Sequence, residues 1–204
     1  MKERMLFVID MVNGFVKGGP MADPFICHII PTIQEIIKEK EGILAEVKEW
    51  HNDNSKEFDS FPPHCKKNTW ESETCDELKD TLKDSYKFYK NSTSALFAPH
   101  VKDFIIEGVK NGVKEIIIMG CCTDICIMNF AIALRNLLDE LDLDCEVVIY
   151  NDAVETYDAP NHERDKFNEL ACMFMHQSGI KIKNYQEEKK DNYQYRKTIN
   201  YENY

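Results

Sequence analysis

The chain has 204 residues, of which 43% are hydrophobic and 30% charged, the composition of a globular protein with one domain and a sizeable core. Its formal net charge of -11 argues against a nucleic-acid partner, because such partners are bound through basic patches and no stripe of Lys and Arg is present. No segment approaches the roughly 20 apolar residues of a membrane span, and the first apolar run is too short for a signal-peptide core, so a cytoplasmic protein with no membrane partner is expected.

The first apolar run, Met5 to Ile9, reads as a strand and is closed by Asp10. A long loop with Gly14, Gly18, Gly19, Pro20 and Pro24 leads to a helical pattern over Ile29 to Glu39. The second strand is expected at Ile43 to Val47. A second long loop follows, from Glu49 to Trp70, carrying Glu49, His51, Glu57, Asp59 and His64 beside Pro62 and Pro63. Loops of this length inside a compact domain are usually functional. Helical periodicity over Glu71 to Lys83 precedes a third strand at Tyr86 to Tyr89, followed directly by Lys90. The rest alternates strictly: helix His100 to Asn111, strand Glu115 to Met119, helix Asp124 to Leu141, strand Glu146 to Tyr150, helix Pro160 to Gln177 and strand Ile180 to Ile182. Such an order implies a three-layer α/β/α, Rossmann-like domain, with a mostly parallel six-stranded sheet and right-handed crossovers. Residues 1–183 form this domain. The polar, tyrosine-rich segment 184–204 has Ile199 as its only aliphatic residue and reads as a disordered tail or an arm that docks elsewhere.

Chemistry concentrates at Gly120-Cys121-Cys122-Thr123-Asp124-Ile125-Cys126, between the fourth strand and the next helix. Thr or Asp ahead of an apolar-periodic segment reads as an N-cap, which puts Cys126 in a first helical turn at the carboxyl end of a strand. Unpaired N–H groups and the helix dipole favour a thiolate there, and ligands of open α/β sheets bind beyond these strand ends. The alternative is three buried cysteines packing as small hydrophobes. Eight cysteines without an export signal or a CxxC pair are expected to be reduced thiols. Asp10 and Lys90 lie at other strand ends, so a general base, a charge balancer and a nucleophile are brought within reach of one another.

Four stretches resemble the isochorismatase-like cysteine hydrolases, the superfamily that includes nicotinamidases. They are Val8-Ile9-Asp10-Met11-Val12-Asn13-Gly14-Phe15, Lys90-Asn91-Ser92-Thr93-Ser94-Ala95-Leu96-Phe97, Gly120 to Cys126, and Asp152-Ala153-Val154-Glu155-Thr156 followed by Tyr157 and His162. Their order and spacing match the family from Met5 to about Ile182. The resemblance implies catalytic Asp10, Lys90 and Cys126, an oxyanion hole from the backbone N–H groups of Cys122 and Cys126, and a cis peptide just before Cys122. Cys121 and Cys122 are given packing roles. Phe15 and Trp50 match positions that flank the substrate ring in nicotinamidases, whereas Leu96 interrupts the family's Ser-Ala-Phe pattern.

Glu49-Trp50-His51 stands where the family has Asp-x-His, and Pro63-His64-Cys65 is similar to its P-x-H-C element. This implies a divalent metal (zinc, iron or manganese) held by Glu49, His51 and His64, with Glu57 as a looser match for a further ligand, and no organic cofactor. Glu49 departs from the pattern by one methylene. The implied activity is hydrolysis of a small-molecule amide, with nicotinamide the leading substrate, by a homo-oligomer. Isochorismatases cleave a vinyl ether without a cysteine nucleophile, so Cys126 and the His51/His64 pair argue against that chemistry. A ureido or carbamoyl amide, or a thiol redox or regulatory role without turnover, are the alternatives.

Overall fold

The computed structural model describes residues 2–191. Six strands, β1 (Arg4–Ile9), β2 (Ile43–Glu49), β3 (Tyr86–Lys90), β4 (Glu115–Cys121), β5 (Glu146–Glu155) and β6 (Lys181–Lys183), form one sheet in the order β3-β2-β1-β4-β5-β6. All five pairings are parallel. The helices are α1 (Asn13–Val16), α2 (Ile30–Glu39), α3 (Asp76–Lys79), α4 (Val101–Lys110), α5 (Met128–Glu140) and α6 (Arg164–Gln177). Among the described residues no helix is long and apolar enough to cross a membrane.

The two-residue period of a strand divides the core. Met5, Phe7 and Ile9 of β1 and Ile116 and Ile118 of β4 face α4, α5 and α6. Leu6, Val8, Ile117 and Met119 face the opposite layer, built from α1, α2 and α3 with the 3₁₀ turn Pro24–Ile29. A parallel sheet must be covered on both sides, which is why β1 and β4 are apolar on both faces after their first residues, Arg4 and Glu115.

Three expectations are corrected. The helix over Glu71 to Lys83 is a 3₁₀ turn at Trp70–Ser72 and the short α3, because the intervening backbone is pulled into pairing with the segment after β1. The Asn13 N–H donates to Glu73 O at 2.9 Å and the Cys75 N–H to Met11 O at 3.0 Å. The helix expected from Asp124 begins as a π turn over Thr123–Ile127 before α5. Finally, β5 continues to Glu155, beyond a register shift against β4 between Ile118 and Gly120. The eight cysteines are all free.

Of the polar terminal segment, residues up to 191 are described. Tyr185 is buried, its OH donates to Glu39 Oε2 at 2.6 Å, and its N–H donates to Asp152 Oδ1 at 2.8 Å. Its beginning therefore docks on the domain, and 192–204 lie outside the described residues.

Candidate active site

Three adjacent parallel strands end together and deliver the charged groups. Asp10 follows β1, Glu49 closes β2, and Lys90 closes β3, with Glu49 and Lys90 direct register partners. Asp10 has φ +53°, a left-handed conformation that Asp tolerates better than most residues. This turn sends its carboxylate over β2, where Oδ1 accepts the Glu49 N–H at 2.8 Å. The fourth strand brings the thiol. Gly120 has φ +118°, and a Cβ there would lie 2.1 Å from Ile9 O, so only glycine lets β4 pass β1 at this point. The Cys121–Cys122 peptide is cis, and the π turn then carries Cys126. Neither Thr123 nor Asp124 caps this turn; Cys122 takes the N-cap position without a side-chain bond.

Lys90 is fully buried at the centre of the cluster. Its Nζ lies 2.8 Å from Asp10 Oδ2 and 2.8 Å from Glu49 Oε1, and donates toward Cys126 Sγ at 3.5 Å. Cys126 Sγ is 3.6 Å from Glu49 Oε1. Asp10 Oδ2 is held by the Lys90 charge but accepts no well-aligned hydrogen bond, which leaves it open to receive a proton.

Burial pushes Asp10 up to about 6; the Lys90 charge works against this and the Glu49 carboxylate adds to it. Burial also pushes the Cys126 thiol well above its ordinary value, with Lys90 opposing and Asp10 and Glu49 reinforcing. Lys90 is held well above its ordinary value, against the burial that would lower it, by Asp10, Cys126 and Glu49. Glu49 stays well below the usual carboxylate range despite burial, because Lys90 and the His51 and His64 hydrogen bonds favour its charge. At rest the cluster holds an ammonium, the Glu49 carboxylate and a neutral thiol. Asp10 is the group placed to ionise near neutrality.

Glu49 Oε2 faces the two imidazoles, at 3.1 Å from His51 Nε2 and 2.6 Å from His64 Nε2. The far nitrogens fix the rings. His51 Nδ1 donates to Asn91 Oδ1 at 3.1 Å, and that oxygen also accepts the Asn52 N–H at 3.3 Å. His64 Nδ1 donates to Pro62 O at 2.7 Å. Both Nε2 atoms thereby converge on one carboxylate oxygen, where a bound cation could take the place of the hydrogen bonds to Glu49. Glu57, raised by burial and then by the Glu49 charge, offers a fourth donor within the same 4.8 Å set. The donors are those of a divalent-metal site with nitrogen and oxygen ligands. The extra methylene of Glu49 lets one carboxylate reach the imidazoles with Oε2 and the lysine with Oε1.

Phe15, Met21, Glu57, Phe61, His64, Cys122 and Ile125 line a tight cavity of about 10 Å³ over Glu49 and Cys126. It has room for about one water, so its walls must move apart to admit a substrate. A larger hollow lined by Lys2, Gly42 and Tyr86 lies at the amino ends of the strands, away from these groups. Phe15 lines the cavity, 5.5 Å from the His64 ring. Trp50 does not line the cavity: its ring packs on Tyr89 at 4.9 Å. The alternation that sends Glu49 and His51 into the site sends the residue between them to the other face. Sequence reasoning missed Met21, Phe61 and Ile125 as walls and Asn91 as the holder of His51. For Asn91 a signal existed, since it follows the lysine that ends β3.

Residues 4–180 match the isochorismatase domain. Nicotinamidase 1 of Arabidopsis thaliana is 29% identical over 185 residues, which cover 77% of this chain and 71% of its own. The pyrazinamidase of Pyrococcus horikoshii, solved in complex with zinc, is 30% identical with a TM-score of 0.70 over 90% of this chain and 99% of its own. An Acinetobacter baumanii nicotinamidase/pyrazinamidase shares the fold, with a TM-score of 0.76 at 20% identity over 92% of this chain and 98% of its own.

Proposed function

The chain belongs to the isochorismatase family, and we propose that it is a cysteine amidohydrolase of the nicotinamidase type, cleaving a small amide through a thioester on Cys126. The observation that carries this reading is the buried Lys90 ammonium, 2.8 Å from both Asp10 and Glu49 and 3.5 Å from Cys126 Sγ. Asp10 takes the thiol proton as sulfur attacks the amide carbon. The carbonyl oxygen gains negative charge, which the backbone N–H groups of Cys122 and Cys126 hold. Asp10 returns the proton to the nitrogen, the C–N bond breaks, and ammonia leaves a thioester. Water that gives a proton to Asp10 then attacks the thioester, releasing the acid, and the proton passes back to Cys126. Lys90 keeps Asp10 in place and offsets the charge of the two carboxylates throughout.

A divalent metal, zinc, iron or manganese, held by Glu49, His51 and His64 with Glu57 beside them, would supply a Lewis-acidic point for an uncharged ring nitrogen or a water. The apolar walls Phe15, Met21 and Phe61 suit a flat ring, and nicotinamide is the first substrate to test. Ammonia release from nicotinamide, read together with metal analysis, tests the reading. The expected result is turnover that Cys126→Ala abolishes and Cys122→Ala preserves in part, with bound metal lost from the His51→Ala/His64→Ala double variant. Undiminished turnover in Cys126→Ala would overturn the nucleophile, and stoichiometric metal in the double variant would overturn the metal site.

A further inference from the structure

Asp124 opens the turn that carries Cys126, yet its carboxylate caps nothing in that turn. It reaches instead to the end of β5: Oδ1 accepts the Thr156 hydroxyl at 2.5 Å and Oδ2 accepts His162 Nε2–H at 2.8 Å. His162 is itself fixed. Its Nδ1 lies 3.0 Å from Tyr157 O, and its ring lies between those of Tyr157 (3.8 Å, 7°) and Phe167 (3.8 Å, 26°). Thr156 is buried, with its N–H donating to Glu155 Oε1 at 2.8 Å. The socket is thus rigid, and it sits on elements that contribute no catalytic side chain. Within the turn, Thr123 Oγ1 is buried without a partner, and the Asn129 bond to Ile125 O at 2.8 Å stays inside the same helical segment. Among the described residues, and apart from Cys126 itself, Asp124 is the side chain that hydrogen-bonds this turn to another element.

We propose that His162 and Thr156 are positioning residues: by clamping Asp124 they set the turn from which Cys126 meets Lys90 at 3.5 Å and Glu49 at 3.6 Å. The inference rests on the reading of Cys126 as nucleophile. The clamp acts on the turn that carries the thiol and the wall residue Ile125, and not on the walls Phe15, Met21 and Phe61, so its loss falls mainly on the chemical step. A misplacement of about 1 Å can cost on the order of 100-fold in rate.

The test measures kcat, KM and the rate of Cys126 alkylation by iodoacetamide in His162→Leu, His162→Gln and Asp124→Asn. In His162→Leu, which removes the donor while filling the space between the two rings, kcat and alkylation should fall together by about tenfold or more while KM moves less than about threefold. Gln keeps a donor for Asp124 and should restore most of both. The double variant Asp124→Asn/His162→Leu should be no worse than the poorer single one, because both remove the same bond. Thr156→Val, which preserves shape, serves if His162→Leu does not fold, and should lower kcat and alkylation together. Equal behaviour of the Leu and Gln variants, or unchanged kcat and alkylation in a folded His162→Leu or Thr156→Val, overturns the inference alone. Absence of selective Cys126 labelling in the unmodified protein overturns it together with the functional reading beneath it.

Discussion

Removing the Lys90 ammonium would leave Asp10 and Glu49 as buried carboxylates with no cation between them. Uncompensated buried charge of this kind costs about 3–5 kcal/mol, so Lys90→Met should lower the unfolding free energy by that order as well as suppress turnover by orders of magnitude. Lys87 offers the control. It pairs with Glu46 at 2.7 Å and lies outside the cluster, so Lys87→Met should leave turnover unchanged. As the proposed base, Asp10, raised by burial to about 6, is expected to set the acid limb of activity. A base must be ionised to accept a proton, so kcat/KM should be level above about pH 7, half-maximal near pH 6 and fall roughly tenfold for each unit of acid below about pH 5. A profile flat to pH 4 would place the base elsewhere. The thiol, raised by burial, does not ionise on its own near neutrality, which is the reason a base is needed.

The strand ends decide which residues meet. At Gly120 a side chain would meet Ile9 O at 2.1 Å in a left-handed backbone, so Gly120→Ala should destabilise the protein by more than about 3 kcal/mol in urea unfolding or prevent folding. Full stability in that variant would mean that β1 and β4 can move apart without penalty. The same ends explain what the sequence discloses. Asp10, Lys90 and the Cys126 turn were legible because apolar runs show where strands stop, and ligands gather beyond the carboxyl ends of parallel strands. Trp50 was read into the site with its neighbours, although the two-residue period that aims Glu49 and His51 inward turns it toward Tyr89. The helix expected over Glu71 to Lys83 failed for a reason outside its own residues: hydrogen bonds from the segment after β1 outweigh local periodicity. Asp124 has the composition of a cap, but its partners Thr156 and His162 lie 32 and 38 residues away, where no local pattern reaches.

Across the whole molecule, one parallel sheet brings the carboxyl ends of β3, β2, β1 and β4 to a single edge, and the two long loops close over them. Met21 comes from the first loop and Phe61 from the second, and both residues line not only the inner cavity but also an outer hollow with Asp23, Pro62 and Tyr157. A wall shared by two spaces is the natural door between them. Reagents of different size should report it directly, without relying on any substrate. Iodoacetamide should reach Cys126 readily, whereas N-phenylmaleimide should be slower by about tenfold or more relative to its reaction with a free thiol, a size discrimination typical of a tight apolar pocket. Phe61→Ala and Met21→Ala should each relieve the block on the bulky reagent while changing the iodoacetamide rate by less than about twofold, since neither side chain touches the charges that govern the thiol. If both reagents respond alike to these substitutions, Met21 and Phe61 form a fixed wall and the substrate reaches Cys126 by another route.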